Sequence, residues 1–421
     1  MENVGHMCLY HFRNGSALIC AKSRFKWGCD MKILRNSFIA LLFCASPILA
    51  APCGGSFASF VEGLKQEARA KGHSSARVNQ FFANVAKDPK VIKADRAQGV
   101  FQLPFLEFSS RLISQHRMDH GKKNARKYAA IFDQAEREFG ISRGVILAFW
   151  AFETDFGAVQ GNFNTLNALV TLAHDCRRPE LFRPQVFAAL ELFERNNFDP
   201  NTTKGAWAGE IGMVQMLPED ILVNGIDGDG DGKVSLKTSA PDALLSGANM
   251  LRALGWRSNE PWLEEVIIPS DFDWSLTGFG TEKSVRDWER IGVQARDGGF
   301  ERRDLQASVL LPQGRFGPAF IVYPNFHVLF EWNKSFVYVT TAAYFATRLE
   351  GAPRYYAPND VPAMDGKTMK VLQQKLVALG YDVGKIDGIL GAKTRKAVQD
   401  VQKRLGLPAD AWPTRDLLSR L

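Results

Sequence analysis

At 421 residues the chain is too long for one ordinary domain, and 46% hydrophobic with 23% charged residues is the balance of a folded globular protein. The net charge of +7 is unevenly spread: residues 1–50 hold six Lys/Arg against two Asp/Glu, residues 366–421 hold eleven against five, and 51–365 stand at −3. A nucleic-acid protein needs a basic working face, and the large central segment lacks the charge for one.

The chain opens with a leader. "MKILRNSFIALLFCASPILAA" has a basic start, an apolar run from Phe38 to Ala51 and small residues at its end. It reads as a secretory signal peptide cut near Ala50 or Ala51, with Met31 the alternative start and residues 1–50 removed. The run is short for a membrane anchor and contains Pro47. The residues before Cys44 and Cys53 lack the small-residue pattern of a lipidation signal. Four of the six cysteines lie in this leader, leaving Cys53 and Cys176. Two thiols in an exported chain predict one disulfide, with two free thiols as the alternative. Closing so long a loop stabilises by up to about 5 kcal/mol in the chain-entropy model.

Residues 57–150 read mainly as helices, in stretches such as "SFASFVEGLKQEARAKG" and "NARKYAAIFDQAEREFG". The next segment, "LAFWAFETDFG", poses a chemical question. A helix capped by Ser142 and stopped by Gly157 puts Ile146, Phe149, Trp150 and Glu153 on one apolar face. A carboxyl among large hydrophobes loses hydration, which favours its protonated form, the state a general acid needs. The plainer reading is a buried Glu satisfied by an Arg or by backbone. Asp155, two residues on, points away from Glu153 along a helix and reads as a local structural acid.

Helical spacing resumes in "PQVFAALELFERNN" and "PDALLSGANMLRALGW", and between them lies "DGDGDGKVSL". The latter matches the first part of an EF-hand loop: Asp227, Asp229 and Asp231 at positions 1, 3 and 5, the Lys233 carbonyl at 7 and Ser235 at 9. Position 12 is Thr238 in place of the usual bidentate acid, with Asp242 a little further on. A calcium ion there would be structural; a metal-free Asp/Gly turn is the competing reading. Residues 262–323 turn β-like, "SFVYVTTAAYFATRL" forms a last helix, and Pro/Gly-rich 351–365 reads as a linker. Residues 366–421 keep helical spacing at Met369, Leu372, Leu376 and Leu379 and again at Val398, Val401 and Leu405, predicting a compact three-helix unit.

Taken together, "FETDFGAVQGNFNTLNALVTLAHDCRRPELF", "GAWAGEIGMVQMLP", "DGDGDGKVSL", "PDALLSGANMLRALGW" and "NFHVLFEWNKSFVY" resemble the lytic transglycosylase B family, of the glycoside hydrolase family 103 type. "LQQKLVALGYDVGKIDGILGAKTRKAVQDVQ" is similar to a three-helix peptidoglycan-binding module. The resemblance implies a mainly α (α+β) fold, with a lysozyme-like catalytic domain over 51–350 and the module over 366–421. It implies a periplasmic enzyme of a Gram-negative bacterium that cuts the β-1,4 bond between N-acetylmuramic acid and N-acetylglucosamine, leaving a 1,6-anhydro end. Its partners would be peptidoglycan strands and wall-synthesis or division proteins, without nucleic acid or a stable membrane span, and its chemistry needs no cofactor.

By the same resemblance Glu153 is the only catalytic carboxylate. Gln215 and Met216 of "GMVQMLP", with Asn333 and Tyr338 of "EWNKSFVY", match sugar-binding positions. Met216 stands where a Phe is usual, Ala206 where some members have Ser, and Trp332 where Tyr is common. A hydrolytic muramidase or a non-enzymatic wall-binding scaffold are the alternatives. The basic module is expected to act as a tether that concentrates the enzyme on an acidic polymer.

Overall fold

A computed structural model describes residues 53–97, 103–357 and 362–421; the leader, Met31 included, lies outside them. Among the described residues no helix is long and apolar enough to cross a membrane. The first helices are α1 Phe57–Ala70, α2 Ser75–Phe82, α3 Pro89–Arg96, α4 Phe105–Leu112, α5 Gln115–Lys127, α6 Ala129–Phe139 and α7 Arg143–Thr154. They are followed by α8 Thr165–His174, α9 Pro179–Glu194, α10 Pro218–Asn224, α11 Ala240–Ala253, α12 Val285–Arg290, α13 Pro324–Trp332 and α14 Phe336–Leu349. The last three are α15 Gly366–Ala378, α16 Ala392–Arg404 and α17 Arg415–Ser419.

The large unit is built around α7. Ser142 caps it as expected, its Oγ accepting the Gly144 N–H at 3.2 Å. The helix stops short of Gly157 because Asp155 and Phe156 take left-handed φ values of 51° and 59°. Burial extends beyond the one apolar face read from the spacing: every residue from Gly144 to Thr154 is buried. The helices α14, α5, α6 and α11 pack around it. A helix apolar all round belongs in the middle of a core.

Strands β1 Phe163–Asn164 and β2 Lys204–Gly205 form a small antiparallel pair. The region from 262 to 323 contributes β3 Leu263–Ile267, β4 Lys283–Ser284, β5 Gln294–Ala295, β6 Gln306–Leu310 and β7 Ala319–Val322. They form an antiparallel sheet in the order β4-β6-β7-β3-β5. Period-two alternation sends Leu310, Phe320 and Val322 into the main helical core. Val309 and Ile321 face a second cluster with Trp288, Phe272 and Val285. Both sheet faces are therefore covered; β6 is buried from Ala307 to Leu310 and β7 throughout, while Ile267 at the end of β3 is exposed.

Cys53 and Cys176 are joined with Cα atoms 5.2 Å apart, a spacing a disulfide accommodates without backbone movement. The bridge ties the start of the described chain to the end of α8, beside the Gly54 N–H that donates to the His174 carbonyl at 2.9 Å.

The C-terminal helices α15–α17 have their own core, built on Met369, Leu372, Leu376, Val398, Val401 and Leu417. Leu379, placed on that face by its spacing, is the C-cap of α15 and exposed. The unit does not hang free. Arg395 donates to the carbonyls of Leu311 and Pro312 at 3.3 and 2.6 Å, with its guanidinium 4.3 Å from the Phe336 ring centre. Gln399 donates to the Thr277 carbonyl at 2.8 Å, and Arg315 pairs with Asp410 at 3.0 Å. The start of the connecting segment is pinned as well: Tyr355 meets Ser109 through its hydroxyl at 3.0 Å, and the Tyr356 N–H donates to Glu265 at 2.7 Å.

Candidate active site

Glu153 sits in the last turn of α7, 8% exposed, against the start of α14 and the end of α13. Its Oε1 accepts two hydrogen bonds, from the Tyr338 hydroxyl at 2.9 Å and from the Trp332 indole N–H at 3.0 Å. The Trp332 ring stacks on Phe149 at 4.5 Å between centroids, and Phe152 meets Tyr338 edge to face at 5.8 Å. Both donors are neutral and are themselves locked by aromatic packing.

Burial pushes the Glu153 carboxyl up from 4.5 to about 8; Tyr338 and Trp332 pull it back, and the nearby Glu210 charge adds a smaller push upward. The group is a neutral acid at pH 7. With both donors on Oε1, the proton resides on Oε2. Burial also raises the Tyr338 hydroxyl well above its ordinary value, with the Glu153 charge reinforcing it, so it remains a donor.

The neighbouring turn is fixed by the residue after the acid. The Thr154 hydroxyl donates to the Met213 carbonyl at 2.6 Å and accepts the Gly157 N–H at 2.9 Å. Met213 belongs to a tight hairpin in which Ile211 and Met216 exchange backbone bonds at 2.8 and 3.1 Å. Gly212 opens the turn at φ 82°, where an added Cβ would lie 2.4 Å from the Leu236 Cβ. Gln215 closes it at φ 52°, a left-handed conformation that costs a non-glycine residue about 1–3 kcal/mol. Its amide donates to the Gly212 carbonyl at 2.7 Å. The "ET" pair and the "G-x-x-Q" turn are thus one connected piece.

Of the residues matched to sugar binding, Gln215 lies in this turn. Met216 is a correction: its side chain is 0% exposed and belongs to the core beneath the turn, so it supports Gln215 and meets no sugar. Tyr338 is buried too and serves as a donor to Glu153. The Asn333 Oδ1 accepts the Ser335 N–H at 2.8 Å, fixing the loop between α13 and α14. Ala206 provides no hydroxyl, and the one that reaches Glu153 comes from Tyr338. Asp155 is bound by Arg117 at 3.0 Å, consistent with a structural acid.

Two residues were not read from the sequence. Trp332 was noted only as a departure from Tyr; both side chains carry a donor on an aromatic ring, which is the shared signal. Glu210 is a second buried carboxyl, raised to about 7 by burial, with backbone donors and the Arg178 charge pulling it back. Its Oε2 is buried without a hydrogen-bond partner. An acid inside "WAGEIG" carries the same anomaly as Glu153 and could have been singled out. Enclosed, and with its carboxyl raised to about 7 by burial, it lacks the exposure of a glycosidase nucleophile.

In the aspartate loop, ligand oxygens of Asp227, Asp229 and Asp242 lie within 4.8 Å of one another. Asp231 is not in that group, and Asp242 takes the place anticipated for position 12. The Asp242 carboxylate accepts the N–H groups of Gly228 at 2.9 Å and Ser235 at 2.7 Å, so it organises the loop. Lys233 contributes an N–H to Asp231 at 2.9 Å.

Comparison with known proteins follows this geometry. Residues 56–347 match the transglycosylase SLT domain family, which is more than half of the chain. The chain belongs to that family. Residues 365–421 match a peptidoglycan binding domain family. SltB3 from Pseudomonas aeruginosa, solved in complex with NAG-anhNAM-pentapeptide, is similar at 35% identity and a TM-score of 0.80, over 87% of this chain and 99% of that one. The membrane-bound lytic murein transglycosylase B of Escherichia coli K12 is 26% identical over 233 residues, 55% of this chain. The match spans 63% of that relative's length. Escherichia coli Slt35 in complex with calcium shares the fold, with a TM-score of 0.59 at 23% identity, over 72% of this chain and 96% of that one.

Proposed function

We propose that the protein is a peptidoglycan lytic transglycosylase that cleaves between N-acetylmuramic acid and N-acetylglucosamine without consuming water. The observation that carries this reading is a buried carboxyl, Glu153, raised by burial and held by two neutral donors. Its proton passes from Oε2 to the leaving glycosidic oxygen as the C1–O bond breaks. Tyr338 and Trp332 then stabilise the carboxylate that remains, since hydrogen bonds to a charged oxygen are the stronger ones. The carboxylate takes the proton of the muramic C6 hydroxyl while that oxygen bonds to C1, closing the 1,6-anhydro ring and restoring the acid. The nucleophile is internal to the substrate, so proximity replaces the second carboxylate that hydrolytic glycosidases need. A value near 8 suits both halves of the cycle, because proton transfer is most efficient when donor and medium are matched.

In this reading residues 1–50 are a cleaved leader, 51–350 the catalytic unit, 351–365 the linker and 366–421 the wall-binding module, with the protein acting in the periplasm of a Gram-negative bacterium. Gln215 and Asn333 orient sugars. The aspartate loop suits calcium: Asp227, Asp229 and Asp242 would hold it as a structural clip outside the reaction. A calcium-dependent rise in the Tm of EDTA-treated protein is expected, and an unchanged Tm would remove the metal from the account. The test of function is digestion of purified sacculi with residues 51–421 followed by mass spectrometry of the muropeptides. Anhydro-muramyl ends support the proposal; reducing ends would indicate a muramidase, and undigested sacculi a scaffold.

A further inference from the structure

Between the C-terminal helices and the large unit lies a chamber of about 630 Å³, within the range that holds small ligands. One wall is Asn333–Val337 together with Arg177 and Arg178; the facing wall runs from Lys385 to Arg395 and includes Trp412. Arg395, Gln399 and the Arg315–Asp410 pair clamp the two walls together, which makes the chamber a formed space.

We propose that this chamber binds the carboxylate-bearing peptide of the wall polymer, an inference that rests on the reading above and adds a peptide subsite to it. The first support is charge. Its lining holds seven Lys/Arg and two Asp. Arg96, Lys334 and Lys393 pair with Asp175, Glu331 and Asp382 just outside, and counting those acids still leaves a positive excess. Such exposed pairs are weak and exchange readily for a ligand anion.

The second support is hydrogen bonding. Asn333 is 2% exposed and its Nδ2 has no acceptor; Trp412 is 4% exposed and its Nε1 has none. Both are donors left unmet by the protein, so the chemistry they favour, once the two side chains turn into the chamber, is a ligand rich in carbonyl and carboxylate oxygens. The third support is position. Asn333 directly follows Trp332, whose indole donates to Glu153, so the chamber adjoins the reacting centre along the chain. A peptide carried on the reacting muramic acid departs from beside the bond being cut. The docked module thereby acts as one wall of a substrate site, beyond any role as a tether.

The test is calorimetric titration of the intact chain with a synthetic stem pentapeptide bearing free carboxylates, and with its all-carboxamide form. Binding requires no turnover, so its result is separate from that of the sacculus digestion. The double variant Lys334→Glu with Lys385→Glu changes one lysine on each wall, the first half-buried and the second exposed, and circular dichroism checks that it folds. The carboxylate peptide is expected to bind more tightly than the carboxamide, to weaken with salt, and to lose about tenfold or more in affinity to the variant. Equal affinity for wild type and variant, equal binding of the two peptides, or no binding at millimolar concentration would each overturn the chamber as the site.

Discussion

Two buried acids in this molecule are treated in opposite ways. Asp95, at the end of α3, is bracketed by Arg177 and Arg178, the residues that follow the bridged Cys176. Glu153, at the end of α7, receives only an indole N–H and a phenol. A buried carboxylate bracketed by guanidinium groups serves as a structural joint, expensive to break on one side. A buried carboxyl with neutral donors keeps its proton and remains available for chemistry. Burial alone does not mark a catalytic acid; what separates Glu153 from Asp95 is that its two hydrogen-bond partners carry no charge.

The largest effect expected from breaking this contrast is at Glu153 itself. Glu153→Gln preserves shape and removes the transferable proton, so cleavage of sacculi should fall by about 10²–10⁴-fold. Stability should move the other way. Below 4.5 the acid is neutral in folded and unfolded chains alike and burial carries no ionisation cost. As pH rises from 4.5 towards 8 the unfolded chain ionises first, so wild type loses stability across that window. At pH 7 the Gln variant should therefore be more stable by as much as about 3 kcal/mol, and equal to wild type at pH 4. Denaturation curves at the two pH values check it; an inactive variant without the pH-dependent gain would mean that Glu153 is charged in the fold.

The next effect belongs to the other acid. Replacing Cys53 and Cys176 by Ala releases a bridge spanning 123 residues and should cost about 2–5 kcal/mol. Because the bridge anchors the Arg177–Arg178 side, the Tm should fall while the pH limb of kcat/KM for the surviving folded enzyme stays in place. A shifted limb would show that the two acids are coupled more strongly than this account allows. Smaller again is Tyr338→Phe. The carboxylate formed by proton transfer loses a donor worth about 1.5–3 kcal/mol, so kcat should fall ~10- to 100-fold. Since that hydrogen bond lowers the Glu153 value, its removal should move the basic limb to higher pH. A basic limb at lower pH would contradict the role given to the tyrosine.

Much of this site was legible in the chain. The apolar neighbours of Glu153, its Ser142 cap, the EF-hand-like acids and the three helices of the C-terminal unit follow from local spacing and side-chain chemistry. What connects them was not. Trp332 and Tyr338 lie 179 and 185 residues from Glu153 and meet it because α14 packs against α7 and α13 packs on α14. The sheet order β4-β6-β7-β3-β5 pairs strands out of sequence, which alternation within each strand does not encode. Met216 was misread because a residue match transfers a position without saying which way the side chain points. The docking of the C-terminal unit was hidden for a different reason. Its contacts are made by Arg395, Gln399 and Asp410, polar residues that read from sequence as a solvated surface.

The central claim is that Glu153 is a neutral acid at pH 7 because burial desolvates it and its hydrogen-bond partners are neutral. The most direct measurement is a carbon-13 NMR titration of glutamate-labelled protein, with the Glu153→Gln variant assigning the resonance. The account predicts a side-chain carboxyl that titrates near about 8 and is absent from the variant. A Glu153 resonance that titrates near its ordinary value of 4.5 would contradict it.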